Sequence, residues 1–538
     1  MAKLQNPLLS GFYPDPSICR VENDYYMVTS SFSYYPGVPI FYSRDLAHWE
    51  QIGHVLDRPE QLPLSYQNIS HGIFAPTIRH NNGVFYMITT NMSNRKNFIV
   101  TATNPKGPWS DPHWIEGADG IDPSLFWDKD GKAYYTGTTR ASMDSKQMIY
   151  LQEIDLKTFA FVGERTLVWG GALVDCASPE APHIYQKDNW YYLMISEGGT
   201  EHFHAVTIAR SENVRGPYVG FEGNPILTHR HLGTNYPICN VGHADMVECQ
   251  DGSWLMVLLA SRIYGGYHKN LGRETFAANV IWEDGWPVVN QGVGKVEWSC
   301  DIPNLEECTY PAEPIKDNFD TEKLNYCWNY LGTPKSNLSK LENSHLYLKK
   351  TGTPVFPRKR DGEKISFFAE LAPDALSFLG RRQQHMSFKS SAYMDKVSLN
   401  EGESAGLIVL QNGYCHVRLE AAVIDGKHMI RVVKGVIYTE GNIFKGTAIM
   451  HCEEETLGET PWDGNQIEFI ITAKEQDFSF KVKQGEKETT VYEHLHGGFM
   501  GSESAGGFVG AYIGMFTSGN GNESDEYIGF DWFTYQGE

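Results

Sequence analysis

The stretch DPSICRVENDYYMVTSS, residues 15–31, decides the fold, because its pattern recurs four more times along the chain. Each copy has a small or acidic residue near its start, passes through a turn of Asn, Asp or Gly, and ends in an apolar strand that is usually rich in aromatic side chains. The later copies are residues 75–91, 122–140, 181–199 and 243–262. Their starts lie about 47 to 62 residues apart, a spacing typical of the blades of a propeller.

Each copy is interpreted as the inner hairpin of a small antiparallel sheet, and the chain between copies supplies the outer strands. The phrases SRDLAHWE, ATNPKGPWS and ARSENVRGPY in those intervening segments resemble one another, which supports the repeat. Five four-stranded sheets arranged radially hide their strand edges by repetition. The sequence therefore predicts an all-β fold that begins with a five-bladed β-propeller.

A second domain is predicted where the repeat is lost. Residues 298–320 are rich in Pro and acidic residues, and we place the boundary near residue 316. Residues 1–315 then form the propeller domain and residues 316–538 the C-terminal domain. Segments such as SAGLIVLQNGYCHVRLEAAV and QIEFIITAKEQDFSFKVKQG predict short strands with frequent turns, as in a β-sandwich of the jelly-roll, concanavalin-like type.

The composition restricts the partners that the protein can have. The chain has 538 residues and a net charge of −21, which argues against nucleic acid, polyanions and anionic membranes and favours a neutral small molecule or polymer. The first residues lack the apolar segment of a signal peptide, and no run approaches the length of a membrane span. Nine cysteines without a C-x-x-C pair indicate reduced thiols, so we expect a cytoplasmic protein.

Acidic residues occupy equivalent places in three of the five copies. The inner strands of a propeller line its axis, so the residues at their starts converge at one end of the channel. Those places hold Asp15, Phe74–Ala75, Asp122, Glu180–Ala181 and His243. A turn explains a lone Asp-Pro pair, but not three acids at matching positions of a repeat. We therefore expect the three carboxylates to face one pocket.

Carboxylates crowded into one cavity repel one another, so their pKa values spread apart. Such a pair provides the protonated acid and the charged base that cleavage of a glycosidic bond requires. A divalent metal site that includes His243 is an alternative, although the chain has neither a D-x-D-x-D loop nor an H-x-x-x-H pair. A non-catalytic sugar-binding propeller is a second alternative, and it predicts that some of the three acids would be missing.

The motifs around these acids resemble those of a known family. GFYPDPSI, GIDPSLFWD and SPEAPHIY are similar to the three acidic motifs of glycoside hydrolase family 43. GHADMVE, LGRETF and WEDGWPVVN resemble its branch of β-xylosidases and α-L-arabinofuranosidases, and the resemblance covers nearly the whole chain. It implies an inverting glycosidase in which Asp15 is the general base and Glu180 the general acid. Asp122 would be the third acid, which raises the pKa of Glu180 and orients it.

The resemblance also assigns residues around the acids. Arg273 would reach the sugar hydroxyls and the carboxylates, the alternative being an ion pair with Glu274. His243 would be the axial histidine, which in some family members holds a water or a hydrated calcium ion. We therefore expect no required cofactor, with Ca²⁺ at the propeller axis as the alternative that His243 leaves open.

Three aromatic residues are candidates for contact with the substrate. Phe32 resembles an aromatic wall beside the terminal sugar, and ordinary packing is its alternative. Phe74 stands where many relatives carry Trp, which leaves a smaller platform. Phe508, in GGFVGAYIG of the C-terminal domain, would reach over the mouth of the pocket.

A pocket closed by the C-terminal domain accepts the end of a chain and not its middle. The expected activity is therefore release of xylose from the non-reducing end of β-1,4-xylo-oligosaccharides, with α-L-arabinofuranosidase activity alongside. The alternative is an enzyme that is mainly an α-L-arabinofuranosidase. The resemblance further implies a homo-oligomer.

Overall fold

The chain folds almost entirely into β-structure, as predicted, and its two helices are single turns, Gly497–Met500 and Ser502–Ala505, in the part that is described. Neither is long and apolar enough to cross a membrane. The computed structural model describes residues 2–64, 68–140, 146–174, 176–303, 305–356, 362–365, 376–441 and 447–538.

Five antiparallel sheets follow one another along the first part of the described chain, and in each the strands pair in sequence order. The first two strands of sheets 1 to 3 lie within one copy of the repeat, whereas the first strands of sheets 4 and 5 begin one and five residues before their copies. Sheet 1 contains Ser17–Val21, Asp24–Val28, Gly37–Ser43 and Glu50–Leu56; sheet 2 contains Thr77–Asn81, Val84–Asn91, Lys96–Ala102 and His113–Trp114; sheet 3 contains Ser124–Trp127, Ala133–Thr139, Met148–Asp155 and Ala160–Trp169; sheet 4 contains Glu180–Lys187, Trp190–Glu197, Ala205–Ser211 and Val219–Gly220, with Leu227–Thr228 beside its third strand; sheet 5 contains Ile238–Glu248, Trp254–Arg262, Glu274–Glu283 and Trp286–Val289.

Two larger antiparallel sheets follow and enclose their own apolar core, which includes Phe469, Phe480, Met515 and Phe530. In order of pairing, one contains Ser339–Leu341, Leu346–Lys349, Tyr527–Gly537, Phe388–Lys396, Ile467–Lys474, Asp477–Gln484 and Lys487–His496, with Lys316–Asp317 beside Tyr527–Gly537; the other contains Lys364–Ile365, Ala448–Pro461, Lys427–Glu440, His416–Ile424, Ser404–Leu410, Tyr512–Ser518 and Ser377–Arg382.

Short strands join distant parts of the chain. Ala2–Gln5 pairs with Ser299–Ile302, and Tyr34–Tyr35 of the first part pairs with Tyr330–Leu331 of the second.

Four of the five sheets have a residue with the same unusual backbone conformation in the inner strand or two residues before it. Asp15, Asp122, Ala181 and His243 have φ of 56°, 55°, 52° and 48°. Positive φ is uncommon for residues other than glycine and costs free energy, so it persists only where the surrounding structure imposes it. The equivalence that the repeat predicts is therefore also an equivalence of backbone geometry, and it lies where the acidic residues were predicted to converge.

Side chains of the two parts interlock at their contact. Arg382, from the strand Ser377–Arg382, donates from Nε to the carbonyl oxygen of Phe12 at 2.6 Å and from Nη1 to Oδ1 of Asn329 at 2.9 Å. Its guanidinium lies 4.3 Å from the ring centre of Tyr13. Phe12 and Tyr13 lie just before Asp15, so the C-terminal sheets support the segment that carries this carboxylate.

Gly272 provides a test of this contact. It has φ of +74°, and a Cβ atom there would lie 2.7 Å from Cα of Gly510, whereas Gly83 has φ of +79° and open space around it. Both Gly83→Ala and Gly272→Ala carry a conformational cost of about 1 kcal/mol. Gly272→Ala is expected to lose about 1–3 kcal/mol more, because it forces the two backbones apart. Denaturant midpoints of the two variants provide the comparison, and equal losses would show that the contact is not tight.

Candidate active site

The structure brings Asp15, Asp122 and Glu180 to one place, at the starts of the inner strands of sheets 1, 3 and 4. Asp122 accepts through Oδ2 a hydrogen bond from the backbone N–H of Ala181 at 3.3 Å, which joins it to the residue after Glu180. The charge of Asp15 acts on both other carboxyls. Asp15 and Asp122 are buried, while Glu180 is partly exposed.

Asp15 is fixed from both oxygens. Its Oδ2 accepts from the Ser30 hydroxyl at 2.6 Å, and its Oδ1 accepts from Nη1 of Arg273 at 2.8 Å. Nδ1 of His243 lies 3.6 Å from the same Oδ1. A carboxylate held in this way keeps one orientation and is stabilised in its charged form.

Arg273 joins the carboxylates to the C-terminal sheets. Besides its bond to Asp15, Nη1 donates to Oγ1 of Thr200 at 3.1 Å. Nε and Nη2 donate to the backbone carbonyl oxygen of Phe508 at 3.4 and 3.3 Å. The alternative partner considered for Arg273, Glu274, instead accepts two bonds from Arg262. The guanidinium is therefore oriented by Asp15 on one side and by the C-terminal part of the chain on the other.

The three candidate aromatic residues form one cluster. The ring centre of Phe32 lies 5.2 Å from that of Phe74 and 6.1 Å from that of Phe508. Arg273 lies over the rings of Phe32 and Phe508, at 5.5 and 5.7 Å from their centres. Phe32 is buried in this cluster, whereas Phe74 and Phe508 are partly exposed. Phe74 and Phe508 are thus the rings with surface available to a ligand.

The loop that carries Phe508 is held over the pocket by hydrogen bonds of its backbone. The backbone N–H of Phe508 donates to Oγ of Ser70 at 2.9 Å. At Gly507, with φ of +86°, a Cβ atom would lie 2.4 Å from the same oxygen. Both the amide and the carbonyl of Phe508 are therefore bonded to residues of the first part of the chain.

His243 sits beside Asp15 as the repeat predicts. Its backbone N–H donates to Oγ of Ser196 at 2.6 Å, and its side chain is buried. Burial lowers the pKa of His243, and the Asp15 carboxylate opposes this effect. A neutral imidazole beside Asp15 can form a hydrogen bond with substrate or water without adding a charge to the site.

The sequence did not single out Ser30, Thr200, Ser70 or His204. Ser30 and Thr200 follow the second strands of sheets 1 and 4, so the end of that strand in each copy was the signal that could have identified them. Nδ1 of His204 lies 2.9 Å from the carbonyl oxygen of Asn240, and its buried Nε2 has no hydrogen-bond partner among the described residues. Burial lowers the pKa of His204 to about 3, so this ring is neutral.

Comparisons with known proteins identify the family of the chain. Residues 4–287 match the model of "Glycosyl hydrolases family 43", and residues 316–536 match "Beta xylosidase C-terminal Concanavalin A-like domain". The chain belongs to glycosyl hydrolase family 43. It is 43% identical to a xylosidase/arabinosidase of Butyrivibrio fibrisolvens, with all of both chains covered.

Two further family 43 relatives cover almost the whole chain. The chain is 36% identical to a non-reducing end α-L-arabinofuranosidase of Bacteroides ovatus, over 99% of this chain and 94% of the relative. The crystal structure of a xylan β-1,4-xylosidase from Bacillus halodurans superposes with a TM-score of 0.87 at 30% identity, over 99% of this chain and all of the other.

The electrostatic environment gives the three carboxyls of this family 43 enzyme different pKa values. Burial by itself raises the pKa of Asp15, but Arg273 and then His243 outweigh burial and hold the pKa below its usual value. The pKa of Glu180 is raised to about 7, chiefly by burial and then by the charge of Asp15. Burial, followed by the charges of Glu180 and Asp15, raises the pKa of Asp122 well above its usual value.

Because of these pKa shifts, Asp15 is charged near neutral pH, whereas the pair of Asp122 and Glu180 retains a proton. Asp122 and Glu180 titrate as a pair, because the charge of Glu180 raises the pKa of Asp122. The site can therefore provide a base and an acid at the same time, which is the requirement for cleaving a glycosidic bond with the help of water.

The donors around His243 do not match a calcium site. Calcium takes six to eight oxygen ligands from carboxylates, carbonyls and water. Among the described residues no group of three or more His, Cys, Asp and Glu side chains is placed to hold a metal ion. Asp245, two residues after His243, already binds the guanidinium of Arg79 through both oxygens.

Replacing Asp122 by Asn is expected to lower the pKa of Glu180, because the neighbouring carboxylate that repels its charge is removed. Asn keeps the shape of the side chain and an acceptor for the Ala181 N–H. The protonated form of Glu180 would then be lost at a lower pH than in the wild type. Infrared difference spectra of the carboxyl C=O band between about pH 5 and pH 9 measure this, with Glu180→Gln assigning the band. An unchanged band would mean that Asp122 does not influence Glu180.

Proposed function

We propose that this family 43 enzyme is an inverting exo-glycosidase that releases xylose from the non-reducing end of β-1,4-xylo-oligosaccharides and also cleaves α-L-arabinofuranosides. The observation that carries the proposal is that the three convergent carboxyls differ in pKa and therefore in protonation state. Asp15 is kept ionised by Arg273, while the pKa of Glu180 is raised to about 7.

Asp15 is the general base in this mechanism. Its carboxylate removes a proton from a water molecule, which attacks the anomeric carbon from the face opposite the leaving group. The bonds from Ser30 and Arg273 hold the carboxylate in one orientation and keep it charged. A low pKa makes Asp15 a weaker base, but it ensures that the base is present at neutral pH.

Glu180 is the general acid that protonates the leaving oxygen, and Asp122 acts through it. With a pKa of about 7, Glu180 is protonated in a large fraction of molecules at neutral pH. The bond from the Ala181 N–H to Asp122 ties the third acid to the backbone that carries Glu180. Asp122 thus helps to retain the proton and to orient the acid.

The C-terminal sheets limit the substrate to chain ends. Phe508 lies against Phe32 and Phe74 and is bonded to Ser70 and Arg273 across the pocket. A polymer that ran through the pocket would have to displace this loop. A terminal sugar can lie against the exposed parts of Phe74 and Phe508, because aromatic rings suit the apolar face of a sugar ring.

The order of strands in the sheets supports the proposed architecture. The five N-terminal sheets are the blades of a five-bladed β-propeller whose axis is lined by their first strands, and the two C-terminal sheets form a jelly-roll sandwich. The boundary lies between residues 315 and 316. All nine cysteines are free, which supports action in the cytoplasm. The enzyme acts there as a homo-oligomer, and light scattering of the purified protein tests its mass.

An enzyme that acts mainly on α-L-arabinofuranosides is the second candidate. It is favoured by the 36% identity to the α-L-arabinofuranosidase of Bacteroides ovatus. The same three carboxyls serve either reaction, so the ratio of the two activities distinguishes the candidates.

Initial rates on 4-nitrophenyl β-D-xylopyranoside, 4-nitrophenyl α-L-arabinofuranoside and xylobiose test the roles. Asp15→Ala is expected to lower kcat/KM about 10³-fold or more on all three, because each needs an activated water. Glu180→Ala is expected to lose more on xylobiose than on the 4-nitrophenyl glycosides, because nitrophenolate leaves without being protonated. Asp188→Ala, an exposed carboxylate in a turn of sheet 4, is the control and should match the wild type.

Two results would contradict the assignment. One is a wild type that cleaves none of the three substrates, and the other is an Asp15 or Glu180 variant that keeps its activity on xylobiose. Inversion is tested separately by ¹H NMR of the first product, which should be the α-anomer of xylose when the substrate is a β-xyloside.

The action on chain ends gives a further expectation. Xylotriose labelled at its reducing end should release unlabelled xylose first and leave labelled xylobiose, and polymeric xylan should react slowly. Chromatography of early time points resolves these products. Rapid appearance of long oligosaccharides from xylan would show that the pocket admits internal bonds.

A further inference from the structure

A polar cluster lies on the axis, one step further along the inner strands than the catalytic carboxyls. Ser17, Ser124, His183 and Asp245 each stand two residues after one of the positions with positive φ, namely Asp15, Asp122, Ala181 and His243. Sheet 2 supplies Arg79 from the strand Thr77–Asn81. All five sheets therefore contribute one polar side chain to this axial cluster, and the proposed mechanism uses none of them.

Arg79 and Asp245 form a two-pronged ion pair at its centre. Nη1 of Arg79 donates to Oδ2 of Asp245 at 2.7 Å, and Nη2 donates to Oδ1 at 3.0 Å. The Asp245 side chain is completely buried, and that of Arg79 is 17% exposed. A buried pair in this geometry stabilises the fold only while both partners are present.

The remaining donors to Asp245 fill its other lone pairs. The Ser17 hydroxyl donates at 2.7 Å and the Tyr185 hydroxyl at 2.7 Å, and the backbone N–H groups of Ile18 and Met246 donate at 3.1 and 2.9 Å. A cation other than Arg79 would have to displace these donors before it could bind the carboxylate.

His183 completes the cluster as a neutral acceptor. Its Nδ1 lies 3.0 Å from Nη2 of Arg79 and 3.1 Å from the Ser124 hydroxyl. Because a guanidinium can only donate, this nitrogen accepts and carries no proton. The single positive charge among these five side chains is therefore that of Arg79.

We infer that the Arg79 guanidinium is the cation of the axial cluster and takes the place that a divalent metal would need. It also positions the catalytic carboxyls through Ser17 and Asp245. Ser17 is two residues from Asp15, and Asp245 is two residues from His243, which faces Asp15. The positioning part rests on the proposed function, whereas the exclusion of a metal does not.

The first experiment measures metal binding by the wild-type protein. After dialysis against EDTA and then against CaCl₂ or MgCl₂, elemental analysis should find no stoichiometric metal, and the thermal midpoint should be the same in both buffers. Bound metal at one equivalent, or a midpoint that rises with CaCl₂, would overturn the inference. This result is independent of any activity, so it stands even if the wild type cleaves none of the three substrates.

The second experiment restores the charge from solution. Arg79→Ala leaves a guanidinium-sized space at a partly exposed position, and its kcat/KM is expected to fall about tenfold or more. Guanidinium chloride below denaturing concentrations should recover a substantial part of the loss, whereas urea, which has the same shape but no charge, should not. Equal recovery by both, or recovery by neither, would show that Arg79 acts by packing alone. Arg44→Ala changes an exposed arginine directly after the third strand of sheet 1; it is the control and should keep full activity.

A double-mutant cycle covers the case in which Arg79→Ala does not fold. Arg79→Met and Asp245→Asn each leave one buried partner without the other, so each should lower the thermal midpoint and kcat/KM. The double variant removes both charges and should be less impaired than the sum of the single effects in both measurements. Additive losses would overturn the inference.

Discussion

The bond between Arg273 and Asp15 is the interaction on which the rest of the site depends. It keeps the buried carboxylate of Asp15 ionised in a place where burial would otherwise protonate it. Through the same guanidinium, the carbonyl of Phe508 joins the three carboxyls to the C-terminal part of the chain. The guanidinium therefore sets the charge of one acid and the position of the loop that covers the pocket.

The same environment treats the three acids differently, although the repeat puts them in equivalent places. Asp15 receives a cation and a hydroxyl, whereas Asp122 receives one backbone N–H and the repulsion of two neighbouring charges. Five sheets that repeat one backbone pattern thus give different protonation states, because the side chains around each inner strand differ. The repeat brings the three carboxyls to one place, and the different side chains around each carboxyl give them different pKa values.

Much of the fold and the acidic centre could be predicted from the sequence, because both depend on local pattern. The five copies correspond to the first two strands of sheets 1 to 5, and the acids occur where each inner strand begins. The contact of Arg273 with Asp15 was expected from the resemblance of LGRETF. The carbonyl of Phe508 could not be predicted as its anchor, since a main-chain acceptor leaves no trace in residue identity.

Other features depended on contacts between distant strands. In the sequence Arg79 is an ordinary polar residue before a turn. Only the arrangement of five sheets places it opposite Asp245. Phe32 was expected as a possible wall of the sugar site, but the surrounding rings of Phe12 and Phe74 bury it. Burial of this kind is decided by packing across sheets, which the spacing of residues along one strand does not specify.

The way in which Phe508 holds Arg273 separates two kinds of change that evolution or design can make. The anchor for the guanidinium is a peptide carbonyl, and any residue at position 508 supplies one. The ring of Phe508, in contrast, faces the pocket beside Phe74. Variation at this position can therefore reshape the space beside Phe74 while the charge of Asp15 stays under the same control, so that the shape of the pocket can change without loss of the charged carboxylate.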